Sequence, residues 1–169
     1  MIVIVFGLPG SGKTYFANRV AQMLNAKYIS SDSIRKEMFA TPVYSSESKA
    51  LVYNEMRRRM VESAKHGKEV VLDATFYSSG LRQKFIDSTQ ELTDVFWIEV
   101  IADENMVKER LKRPREESDA NFEVYQILKS KWQPCKNNHL ILQSRNDNIL
   151  NMLEETSDYL FSKNDTTKH

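Results

Sequence analysis

The sequence has one cysteine, Cys135, so no internal disulfide can form, and the fold must rest on burial and hydrogen bonding. That scarcity suits a reducing, cytoplasmic location. Charge of either sign is not in excess: 24 Lys and Arg face 23 Asp and Glu, for a net charge of +1. A general polycation is therefore excluded, and only a local basic patch is left as a route to nucleic acid. Long apolar runs are missing as well. The run from Met1 to Phe6 is far too short to cross a bilayer and has no basic leader, so it is expected to be part of the fold, with no membrane partner. Histidine is rare, with three residues, and neither His66 nor His139 has a partner at metal-ligand spacing, which removes a zinc site. An N-K-x-D motif, which would read guanine, is absent, and a GTP switch is disfavoured. No internal repeat or low-complexity segment occurs.

Glycine is scarce too, but it is concentrated. Of five glycines, Gly7, Gly10 and Gly12 fall in one stretch. That stretch follows Ile2-Val3-Ile4-Val5-Phe6, a continuous β-branched and aromatic run of the kind buried on both faces of a parallel sheet. After it, Phe16, Val20 and Leu24 recur at helical spacing within 15–24. The same alternation continues along the chain. Strands are expected at 27–29, 69–72, 95–101 and 139–142. Helices are expected around Val52, Met56, Met60 and Ala64 with Gly67 closing the end, at Leu81 to Ile86, from the N-cap Asp103 through Leu111, at Phe122 to Leu128, and over 148–161. Trp97 belongs to a core strand pattern, whereas Trp132 is open between core and surface. Alternating strands and helices in a 169-residue chain predict one α/β domain over 1–161, a parallel sheet with helices on both faces, and a polar tail over 162–169. In such sheets ligands bind beyond the carboxyl ends of the strands.

The glycine stretch reads Gly7-Leu8-Pro9-Gly10-Ser11-Gly12-Lys13-Thr14, matching G-x-x-x-x-G-K-[ST] at every fixed position. Its glycines let successive N–H groups point at an anion, and the helix that follows adds its partial positive end. The phosphate-binding set is Gly7, Pro9, Gly10, Ser11, Gly12, Lys13, Thr14 and Tyr15. Lys13 can bridge the β- and γ-phosphates, and the Thr14 hydroxyl can ligate Mg²⁺. ATP and Mg²⁺ are thus the expected cofactors of this P-loop NTPase fold.

Three further stretches lie where a second substrate or the metal would sit. In Ser30-Ser31-Asp32-Ser33-Ile34-Arg35, Asp32 and Arg35 share one face if a helix starts here. Asp32 could take a proton from an attacking hydroxyl while Arg35 grips an anionic part of the acceptor. The alternative is that Asp32 only N-caps the helix and Arg35 is solvated or paired with it. Asp73 ends Val70-Val71-Leu72, which suits a Walker B carboxylate supporting Mg²⁺, directly or through water, or else a turn cap. The segment from Lys108 to Arg115 is the densest in basic residues. It suits a lid over about 110–121 that brings Arg110 or Arg113, with Arg113 favoured, to the transferring phosphate; the alternative is a solvated helix end. Arg57-Arg58-Arg59 reads as a solvated face.

Taken together, GLPGSGKT, SDSIR, VVLDATF and RLKRPREESDANFEVY resemble the small P-loop kinases related to the kinase domain of phage-type polynucleotide kinases. The resemblance covers about residues 1–134. It implies a five-stranded parallel sheet in the order 2-3-1-4-5 and a phosphotransferase that uses an alcohol group as acceptor. It also implies roles: Asp32 as general base for a 5′-hydroxyl, Arg35 on the neighbouring acceptor phosphate, and Arg113 on the nucleotide phosphates. The expected function is therefore transfer of the γ-phosphoryl group of ATP to a hydroxyl, foremost at a 5′-OH nucleic-acid end. Two alternatives stand beside it. One is a kinase of a small anionic hydroxyl compound or nucleotide sugar, since the group includes such enzymes. The other is an ATP-binding module without transfer activity.

Overall fold

A computed structural model describes residues 1–41, 43–112 and 120–162. Five strands form one parallel sheet: β1 (Ile2–Phe6), β2 (Lys27–Ser30), β3 (Val70–Ala74), β4 (Val95–Ile101) and β5 (Leu140–Gln143), in the order β2-β3-β1-β4-β5. The implied order is the observed one. Seven helices among the described residues connect and flank the strands: α1 (Lys13–Met23), α2 (Ser31–Met38), α3 (Ser46–Lys65), α4 (Ser79–Asp87), α5 (Glu104–Leu111), α6 (Phe122–Ser130) and α7 (Ile149–Phe161). None of them is long and apolar enough to cross a membrane.

The central strands are apolar on both sides because both faces are covered. All five residues of β1 are fully buried. Ile2, Ile4 and Phe6 pack toward Val52, Met56 and Met60 of α3, and Val3 and Val5 toward Phe16, Ala17 and Val20 of α1. Register ties the functional ends together: Val5 pairs with Asp73, which pairs in turn with Ser30. The end of β1, Asp73 and the start of α2 are thereby adjacent by backbone hydrogen bonding alone.

Several local expectations are refined. β3 runs on to Ala74, so Asp73 lies inside the strand and does not end it. Gly67 sits one residue beyond the cap His66, at φ +69°, and its N–H bonds the Ala64 carbonyl. Asp103 caps α5 by accepting from the Asn105 N–H at 2.9 Å. Trp132 belongs to the packed interior: its ring stacks on Phe6 at 6.1 Å, and Phe6 meets Trp97 edge-on at 5.7 Å. The arginine triplet is paired rather than simply solvated, with Arg58 and Arg59 bridging Glu55, Glu62 and Glu37, and Arg57 donating to Ser88. Arg113, most of the expected lid and residues 163–169 of the tail lie outside the described residues.

Candidate active site

The phosphate cradle is built by the exit from β1. Gly12 is the N-cap of α1, in the left-handed region at φ +91°, and no side chain caps the helix. The first-turn N–H groups of this 11-residue helix are therefore left for a ligand, at its electropositive end. A side chain at position 12 would sit 2.8 Å from Ser144 Oγ and 3.2 Å from an Arg110 nitrogen, so only glycine leaves both the conformation and the space. At Gly7 a Cβ would fall 2.3 Å from the Val100 carbonyl, so glycine lets the loop graze β4. Ser11 Oγ is buried without a protein partner, as suits an atom awaiting an anion. Tyr15 points outward and carries the Arg19 guanidinium over its ring.

Neither Asp32 nor Arg35 caps the helix on which both lie. The cap of α2 is Ser30, whose hydroxyl accepts from the N–H groups of Asp32 and Ser33 at 3.2 and 3.5 Å. This corrects the alternative in which Asp32 caps the helix, and it leaves the Asp32 carboxylate in the site. Burial raises its pKa above the ordinary aspartate value; Lys13 opposes that rise, Asp73 adds to it, and Arg35 and Lys36 oppose it. The charges that act on Asp32 are thus Lys13 of the P-loop, Asp73 of β3, and Arg35 and Lys36 of its own helix.

Arg35 is 7% exposed, so it is not solvated. Its Nη1 donates to the Val43 carbonyl at 2.7 Å, and Tyr44 covers the guanidinium face at 4.7 Å. Ser48 Oγ donates to the same carbonyl at 2.9 Å and fixes it. Arg35 Nε is buried with no partner, which leaves one donor of the fork for an anion.

Asp73 is also buried, and its two oxygens differ. Oδ2 accepts from the Tyr28 hydroxyl at 2.8 Å, whereas Oδ1 has no partner. An orphaned carboxylate oxygen beside the P-loop strand fits a cation site together with Thr14, the second residue of α1. Among the described residues there is no group of three or more potential metal-ligating side chains, so the cation that Asp73 and Thr14 would take is one shared with phosphates.

Arg110 has a position that spacing alone did not foretell. Its Nη1 donates to the carbonyls of Gly10 and Ser11 at 3.3 and 3.1 Å and to Ser144 Oγ at 3.2 Å, and its Nη2 to Asn146 Oδ1 at 3.1 Å. It braces the P-loop from the carbonyl side and joins it to the segment after β5. Partial burial lowers its pKa, though a guanidinium stays charged.

Other residues of the site gave no signal in the sequence. Phe76, just past β3, takes φ +48°, a costly conformation for a bulky side chain. Three contacts hold it there: its N–H donates to the Tyr53 hydroxyl at 3.3 Å, its carbonyl accepts from Arg82 at 2.7 Å, and its ring meets Phe85 at 4.9 Å. Tyr53, half-buried against the core, has its pKa pushed upward mainly by desolvation, and Asp32 and Arg35 are among the charges that act on it. Tyr28 reads as one more apolar residue of a short strand, since nothing in a linear pattern reports where a phenol oxygen ends.

Comparison with known proteins bears on the family and the fold. Residues 2–134 match the family AAA_33, described as an AAA domain. A shikimate kinase of Corynebacterium glutamicum is 30% identical over 119 residues, covering 68% of this chain and 67% of that protein. The structure of the Mycobacterium tuberculosis APS kinase CysC in complex with AMPPNP and APS superposes with a TM-score of 0.73 at 19% identity, over 94% of this chain and 96% of that one. The Pnkp1/Rnl/Hen1 complex matches less fully, with a TM-score of 0.58 at 19% identity over 70% of this chain and 42% of that one. The chain belongs to the AAA_33 family and has the α/β fold of the P-loop kinases.

Proposed function

We propose that this protein is an ATP- and Mg²⁺-dependent phosphotransferase that phosphorylates a hydroxyl of a small anionic compound. The observation that carries the proposal is the convergence on Asp32 of Lys13, Asp73 and Arg35, one group each for donor phosphates, metal and acceptor anion. Asp32, made more basic by burial, would take the proton of the attacking hydroxyl. Lys13 and the free N–H groups of α1 would hold the β- and γ-phosphates. Thr14 and Asp73 Oδ1 would hold Mg²⁺, which when bound neutralises phosphate charge. Arg35 would fix the acceptor through its remaining donors.

Two features favour a small acceptor over a nucleic-acid end. Arg35 is itself buried, with one nitrogen held by the Val43 carbonyl and its face covered by Tyr44, which suits a single small anion better than an extended phosphate backbone. The net charge of +1 also offers no excess of cations for a long phosphate backbone. Shikimate and APS, named for two of the similar proteins, are small compounds bearing both hydroxyl and acid groups.

The test is an acceptor screen with γ-labelled ATP and Mg²⁺. It should cover hydroxy acids, sugar acids, nucleotide sugars and 5′-OH oligonucleotides of several lengths. Label in a small acid supports the reading. Efficient labelling of oligonucleotides would restore the polynucleotide alternative, and ATP binding with no acceptor-dependent transfer across the panel would point to a binding module.

A further inference from the structure

Tyr28 lies on the edge strand β2, opposite Val71 of β3. Asp73 is two residues along β3 from Val71, so the two share a sheet face and stand on a diagonal that a phenol can span. The ring packs with the apolar layer that includes Val3, Val5, Val71 and Ala17. A phenylalanine would fill that space equally well. What the tyrosine adds is its hydroxyl, which donates to Asp73 Oδ2 at 2.8 Å.

Asp73 is 2% exposed and has its other oxygen, Oδ1, buried with no partner. A buried carboxylate satisfied on one side only is costly unless a cation arrives on the other. A carboxylate can also turn about its Cβ–Cγ bond, which exchanges its two oxygens. Tying Oδ2 to an edge-strand phenol stops that rotation and holds Oδ1 available.

We propose that Tyr28 is a positioning residue for the metal: its hydroxyl locks the Asp73 carboxylate so that Oδ1 stays presented to the Mg²⁺ that accompanies ATP. This rests on the reading of Asp73 as the Mg²⁺ carboxylate. The contribution assigned to Tyr28 passes through its hydrogen bond to Asp73. Hydrogen-bond partners behind metal-supporting carboxylates commonly govern affinity by about 10- to 100-fold.

The experiment uses the full chain with Tyr28→Phe, which keeps the ring, beside Asp73→Asn and the double variant. ATP affinity is measured by calorimetry in EDTA and across a MgCl₂ titration, and folding is followed by thermal melting. Tyr28→Phe should leave the metal-free ATP affinity within about 2-fold of the parent while raising the half-maximal Mg²⁺ concentration by about 10-fold. The double variant should be no worse than Asp73→Asn, because both act on one carboxylate. An unmoved Mg²⁺ dependence in Tyr28→Phe, with a clear shift in Asp73→Asn, overturns the role of Tyr28 and spares that of Asp73. A Tyr28→Phe variant that binds ATP more weakly to the same degree with and without Mg²⁺ shows a merely structural phenol. If neither single variant shifts the Mg²⁺ dependence, the metal reading of Asp73 falls and takes this inference with it.

Discussion

Replacing Asp32 with asparagine should make the protein more stable and nearly inactive. Asp32 is half-buried, and desolvation is the largest influence on it, ahead of the opposing attraction of Lys13. Its carboxylate is therefore harder to ionise in the folded chain than in the unfolded one. Below the ordinary carboxylate pKa both states hold the proton and nothing is lost. As pH rises through the folded value, the unfolded chain gains more from ionisation, so stability falls. Asp32→Asn keeps the shape and removes the charge. At neutral pH it should raise stability by roughly 1 kcal/mol, the usual size for relieving a functional site, or about 3 °C in melting temperature for a chain of this length. That gain should shrink as pH is lowered into the ordinary carboxylate range. Phosphoryl transfer should fall by about 10²- to 10⁴-fold, the range for losing a general base, with ATP affinity little changed. The assays are thermal melting from acid to neutral pH and single-turnover transfer to the acceptor found by the screen. A variant with parental turnover would refute the catalytic role of the Asp32 charge, and one destabilised at neutral pH would refute its being a burden on the fold.

Other expectations are as direct. Arg35→Lys should raise the acceptor KM by about 10-fold or more and leave the ATP KM unchanged, since an ammonium cannot replace a planar fork held by Val43 and Tyr44; steady-state kinetics with each substrate varied decides it. Gly12→Ala should destabilise the fold by about 1–2 kcal/mol through its left-handed backbone alone and should abolish tight ATP binding, because the new Cβ meets Ser144 and Arg110; melting and calorimetry check both. Met56→Ala, at a fully buried position between α3 and the sheet, should cost about 2–5 kcal/mol in urea unfolding with ATP contacts intact.

The P-loop was legible in the sequence because its chemistry is local. Three glycines at fixed spacing, a lysine and a hydroxyl define the cradle within eight consecutive positions directly after a buried strand, and the fold has to place them at that strand's end. The βαβ rhythm was legible for a related reason, since apolar periodicity reports burial directly, and the neighbours of β1 followed from the implied strand order. Asp32 was legible as a residue but not as a role. Whether it capped α2 depended on Ser30, two residues earlier, and on which of two short polar side chains reached the helix N–H groups. Arg35 was legible as a cation, whereas its enclosure by Val43 and Tyr44 is a contact across the turn between α2 and α3. Tyr28, Phe76 and the brace made by Arg110 were not legible at all. Each acts through a side chain that crosses between elements, with sequence separations of 45 for Tyr28–Asp73, 23 for Tyr53–Phe76 and 100 for Arg110–Gly10. The sequence by itself thus determined which chemistry the chain can carry, because backbone conformation and residue type suffice to bind a phosphate. Only the tertiary structure decided which carboxylate and guanidinium atoms are tied into the fold and which are left without a partner, because burial and long-range hydrogen bonds set that.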